Sequence, residues 1–89
     1  MPTVSFTRAL ERFLPVPCAT VEGATVGAAL AAVFASRPAL RGYVLDDQGA
    51  LRRHVAVYVN GRLVSDRTGL TDAVGPRDEI YVFQALSGG

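Results

Sequence analysis

Helical periodicity is clear in one stretch of the chain, "TVGAALAAVFASR", and strand patterns flank it on both sides. Val26, Leu30, Val33 and Phe34 recur at helical spacing and make one apolar stripe. Thr25 is placed to cap the first turn with its hydroxyl. Gly27 weakens that turn, and the alanines compensate with high propensity. Pro38 is expected to stop the helix, leaving Arg37 against the negative end of its dipole. Two strand patterns come before it. In "TVSFT", Val4 and Phe6 alternate with Ser5 and Thr7; "CATVE" is a second short strand centred on Val21. With "ERFLP" turning the chain, the pair predicts an antiparallel hairpin with a long irregular loop.

Beyond the helix, residues 42–53 hold a turn at Asp46-Asp47-Gln48-Gly49 and then Arg52 and Arg53, expected as a solvated edge. The strongest strand is "HVAVYVNG". Val55, Val57 and Val59 share one face, with His54, Ala56 and Tyr58 on the other. Asn60-Gly61 suits a two-residue hairpin turn, because both residues tolerate positive φ. "RLV" returns as a short strand, and "SDRTGLTDAV" predicts a loop with one helical turn. After a turn at "GPRDE", the strand "IYVFQA" points Ile80 and Val82 inward and Tyr81 and Phe83 outward.

The order β-β-α-β-β-β has one helix crossing between the second and third strands. A right-handed crossover lets the first and last strands pair in parallel at the sheet centre. The expected fold is α+β: a β-grasp, ubiquitin-like mixed sheet of four to five strands with one helix packed on one face. Residues 1–84 form that domain, and 85–89 are expected as a flexible C-terminal tail.

Composition narrows the function. The 89 residues suffice for one core, and 49% of them are hydrophobic. No apolar run spans a membrane, and the start lacks the pattern of a signal peptide, so a cytoplasmic protein is the expectation. One cysteine excludes an internal disulfide, and Cys18 is expected to pack. With His54 as the only histidine, no metal cluster or nucleophile–base pair can be assembled. A net charge of +1 gives no case for nucleic acid. All nine basic residues are arginine, so no side-chain amine is available as an acyl acceptor.

The "VNG" hairpin, "GPRDEIYVF" into the last strand and the terminal "LSGG" resemble the MoaD/ThiS-type ubiquitin-like sulfur carrier family, over essentially the whole chain. The resemblance implies a covalent carrier and not an enzyme. A ubiquitin-activating-like adenylyltransferase, using ATP and Mg, would adenylate the Gly89 carboxylate. Sulfur would then replace one oxygen to give a thiocarboxylate, and a sulfur-accepting synthase would consume it. The domain itself would bind no cofactor and be a monomer when free. Two departures matter. Gln84-Ala85 stands where many molybdopterin-synthase small subunits carry Pro-Pro, and residues 42–53 are longer than in the compact carriers. The longer segment is nearer to the longer carriers that feed cysteine synthesis or secondary-metabolite sulfur. A molybdopterin-synthase-like small subunit and a ubiquitin-like protein modifier are the alternative readings.

The residue types in the tail suit such a role. "QALSGG", fully extended, spans at most about 20 Å, enough to enter a neighbour's active site. Gly88 and Gly89 admit a narrow channel. Leu86 is the natural anchor, with Ser87 beside it. Phe83 is expected on a docking face; for Tyr81 and Tyr58, docking and ordinary cross-strand packing both stay open.

Overall fold

The computed structural model describes residues 1–6 and 18–84, the side chains of Cys18 and Gln84 excepted. Strands β1 (Thr3–Phe6) and β2 (Cys18–Thr20) are followed by helices α1 (Val26–Ser36) and α2 (Pro38–Val44). Strands β3 (Val55–Val59), β4 (Arg62–Leu63) and β5 (Glu79–Gln84) complete a five-stranded sheet in the order β2-β1-β5-β3-β4. β1 and β5 pair in parallel at its centre, Val4 against Ile80, and the other pairings are antiparallel. This is the expected β-grasp topology. Among the described residues, no helix is long and apolar enough to cross a membrane.

One face of the sheet meets the helices. Val4, Val57, Ile80 and Val82 point inward with essentially no exposure, against Val26, Ala29, Leu30 and Val33 of α1. The cap is as expected: Thr25 Oγ1 accepts from Ala28 N at 3.1 Å. Gly27, costly by propensity, is explained by a close approach. Its N–H donates to Leu70 O at 2.9 Å, and a Cβ there would lie 3.2 Å from the same oxygen.

The single-helix expectation is corrected: a second helix, α2, follows α1 and packs against it. Pro38 does end α1, but it also occupies the first turn of α2, where a missing N–H costs nothing. Arg37 (φ −135, ψ 72) is the joint between the helices. Leu40 and Val44, one turn apart, are buried in the same core. Smaller corrections follow at element ends. β2 stops at Thr20; Val21 lies beyond it, its N–H donating to Pro2 O at 3.0 Å. His54 sits in an exposed turn before β3. The loop after β4 does hold one helical turn, Leu70 N donating to Asp66 O at 3.2 Å, with the Asp66 carboxylate accepting from the N–H groups of Thr68, Gly69 and Thr71 and from the Thr71 hydroxyl. Those bonds, the Thr71 hydroxyl first, hold the Asp66 carboxyl down at about 2.

The β3–β4 turn is tied to the start of β5. Asn60 (φ 51) and Gly61 (φ 84) take the positive φ that the turn needs. Asn60 Nδ2 donates to Asp78 Oδ1 at 2.9 Å, while Asn60 Oδ1 accepts from Glu79 N at 2.9 Å. The "VNG" and "DE" motifs are therefore two halves of one clamp that sets the β3–β5 register. Replacing Asn60 with Ala removes both bonds and strains the turn. Unfolding free energy, measured by urea titration, should fall by about 1–3 kcal/mol. Asn60→Gly should recover only the conformational part.

Candidate docking face and tail exit

Among the described residues, no helix lies over the second face of the sheet. Strand alternation that buries Ile80 and Val82 turns Tyr81 and Phe83 outward, 41% and 44% exposed. Their rings lie 6.4 Å apart between centroids, tilted by 50°. Tyr58 stands directly across from Tyr81 and is half-buried; Ala56 stands across from Phe83. Beyond Tyr58, Leu63 completes the row at 55% exposure.

Tyr58, Leu63, Tyr81 and Phe83 thus form one apolar strip over β5, β3 and β4. On β1 and β2 the same face carries Thr3, Ser5 and Thr20, which are polar. An uncovered strip with a polar border is the form of a docking surface. The three aromatic candidates come together here, with Phe83 most open and Tyr58 partly packed. Leu63 is missed by a sequence reading centred on aromatics. Its signal is the two-residue turn at Asn60-Gly61, which places position 63 opposite position 58.

The strip leads to the tail. Gln84, the last residue of β5, pairs with Val55 at the start of β3. The end of β5 therefore lies beside the turn that precedes β3, where Val55 N donates to Arg52 O at 3.0 Å. Leu86, Ser87, Gly88 and Gly89 lie outside the described residues. At the far end of β5, Asp78 is held below the usual carboxylate range, first by the Gly75 N–H, then by the Asn60 amide and the Arg62 charge. That carboxylate is engaged in holding the fold and stands at the opposite end of β5 from the tail.

Comparison with known proteins gives a consistent picture. The ThiS family model matches residues 16–89. Small archaeal modifier protein 1 of Haloferax volcanii is 39% identical over 66 residues, covering 74% of this chain and 71% of that protein. Its crystal structure superposes with a TM-score of 0.84 at 31% identity, over 99% of this chain and 98% of that one. A chain of the Amycolatopsis orientalis BexX/CysO complex gives a TM-score of 0.88 at 26% identity, over the whole of both chains. CysO of Mycobacterium tuberculosis gives 0.84 at 26% identity, over 97% of this chain and all of that one.

Proposed function

The chain belongs to the ThiS family, and from that premise we propose that it is a cytoplasmic sulfur carrier whose reactive group is the Gly89 carboxylate. The observation that carries this reading is the extent of the family match, which takes in the Leu-Ser-Gly-Gly segment together with the fold. A carboxylate is a poor acyl donor until one oxygen becomes a leaving group. An adenylating partner supplies that change: a Gly89 oxygen attacks the α-phosphorus of ATP, and pyrophosphate leaves. A sulfur nucleophile then adds to the acyl carbon, and AMP departs with one carboxylate oxygen. The thiocarboxylate that remains carries sulfur to a synthase.

The carrier's own share is binding and presentation, as for other group carriers. The apolar strip ends where the tail begins, so a partner that grips Phe83 and Tyr81 is positioned to receive the tail. The length of residues 42–53, nearer to the longer carriers of the family, favours cysteine or another sulfur-containing metabolite as the destination. A protein-modifier role is the second reading, favoured by the 39% identical relative being a small archaeal modifier protein. Incubation with the cognate activating enzyme, ATP and a sulfur donor, followed by intact mass measurement, separates the two. An oxygen-to-sulfur mass gain supports the carrier; amide-linked adducts to other proteins without that gain support the modifier.

The docking strip has its own test. Phe83→Ala should raise the Kd for the activating enzyme by at least about tenfold, as truncation of a buried aromatic anchor does. Its effect on unfolding free energy should stay below about 1 kcal/mol, because the ring is largely open in the free domain. Equal losses in binding and folding free energy would make Phe83 a core residue instead.

A further inference from the structure

Asn60 and Gly61, which make the β3–β4 turn, are both exposed. An asparagine followed by glycine is open to one covalent reaction, because no side chain shields the glycine nitrogen from the carboxamide before it. Gly61 is clear on that side: a Cβ built there would meet nothing within 4 Å. In the reaction, Gly61 N bonds to Asn60 Cγ, the Cγ–Nδ2 bond breaks, and ammonia leaves with the proton that Gly61 N gives up. Water then opens the cyclic imide at either carbonyl, and the new carboxyl group loses its proton. Position 60 is left as aspartate or as isoaspartate, whose main chain is one atom longer.

The folded turn holds this reaction back. Ring closure needs Asn60 Cγ beside Gly61 N, whereas the side chain and main chain of Asn60 are tied across to β5. Its Nδ2, the atom that must depart, donates to Asp78 Oδ1 at 2.9 Å. Its Oδ1 accepts from Glu79 N at 2.9 Å, and its own N–H donates to Glu79 O at 2.9 Å. Asp78 is fixed in turn, because its Oδ2 accepts from Gly75 N at 2.7 Å. The way to the imide is local opening of the hairpin end. That end is weakly held on its other side, where β4 is an edge strand whose two residues are both exposed.

We propose that Asn60 is a deamidation site gated by its clamp to Asp78 and Glu79, and that the reaction, once it occurs, keeps the clamp from closing again. The product exchanges a donor for an acceptor. A carboxylate at position 60 has no proton for Asp78 Oδ1 and would face it as like charge against like. Asp78 is held below the usual carboxylate range, so both groups are ionised at neutral pH. Arg62 acts on Asp78 from β4, but one guanidinium does not neutralise two carboxylates, and Glu79 adds a third acid beside them. The same turn sets Leu63 opposite Tyr58, so its modification disturbs the β3–β4 end of the apolar strip. Deamidation needs no partner protein, and the proposal therefore stands or falls apart from the carrier reading.

The test is incubation at neutral pH and physiological temperature, followed by peptide mapping for the NH2-to-OH mass gain and for isoaspartate at position 60. The samples are the whole chain as wild type, Asp78→Ala and Val33→Ala, with a synthetic peptide of residues 57–64. Wild type should react at least about tenfold more slowly than the peptide, which has no clamp. Asp78→Ala removes one tie and should react at least about fivefold faster than wild type. Val33→Ala weakens the buried face of α1 without touching the clamp, and should stay within about twofold of wild type. Thermal midpoints report that each chain is folded. They also test the product directly: Asn60→Asp should melt below wild type, and adding Asp78→Asn should restore the midpoint, because an amide then donates to the carboxylate. A wild type as fast as the peptide, or equal rates in wild type and Asp78→Ala, would overturn the gate. An equal acceleration in Val33→Ala would overturn it in favour of global unfolding. An Asn60→Asp chain as stable as wild type would overturn the loss of the clamp.

Discussion

Leu30→Ala should lower the unfolding free energy by about 2–5 kcal/mol, the range for a large-to-small change at a closed core site. Leu30 is 1% exposed and belongs to the cluster that joins α1 to Val4, Val57, Ile80 and Val82. Its loss removes transfer free energy and leaves a cavity bounded by a helix and a sheet. The sheet is pinned by the Asn60–Asp78 clamp, and α1 is pinned by Gly27 against Leu70, so collapse into the void is restricted. A value near the top of the range is therefore expected. Urea titration with a common slope for both proteins measures it. A midpoint equal to wild type would mean that the sheet relaxes onto α1 despite these ties.

Leu30 was legible in the sequence because its stripe has a period, and the same holds for β3. Val55, Val57 and Val59 alternate over five residues and end on Asn-Gly, so both their face and their turn could be read directly. The helix α2 could not. It has seven residues, starts on a helix-stopping proline and holds Gly42 inside it. Its stability comes from burial of Leu40 and Val44 and from contacts remote in sequence, such as Arg52 Nε on Gly42 O. Single-sequence periodicity does not see such bonds. In the loop after β4 the helical turn was legible, but its detail was hidden for a related reason. Leu70 adopts φ 54, a conformation no leucine prefers, because its side chain is buried and its carbonyl receives Gly27 N–H. The docking strip stood between these cases. Outward aromatics follow from strand alternation, but only the register shows that Leu63 joins them.

The motif residues also divide by role once they are placed. Asn60, Asp78 and Glu79 carry much of the family resemblance, yet their polar groups are spent on each other at the end of β5 remote from the tail. They set a register. The group suited to a partner is the one with fewer internal obligations, the exposed ring of Phe83. A variant that fails to thiolate through Asn60 should therefore fail by unfolding, whereas one at the tail should fail while fully folded.

That distinction is sharpest at the Gly-Gly pair. Extending the chain by one residue after Gly89, or deleting Gly89, should abolish thiocarboxylate formation. The carboxylate would then be shifted by one residue, about 3.5 Å, out of its place beside the α-phosphorus, and in-line attack tolerates little displacement. Gly88→Ala should reduce activation steeply without abolishing it. It adds one methyl group where the tail threads a narrow channel, and it disfavours any positive φ required there. Neither change touches the core that Leu30, Ile80 and Val82 share, so urea midpoints should match wild type. The readout is the oxygen-to-sulfur mass gain for wild type and each variant with the same activating enzyme, ATP and sulfur donor. Binding measured alongside separates the causes: Phe83→Ala should lose affinity, whereas the one-residue extension should keep the docking strip engaged and lose the chemistry. An extended chain that gains sulfur as well as wild type would show that Gly89 is not the reacting residue, and the carrier reading would fall with it.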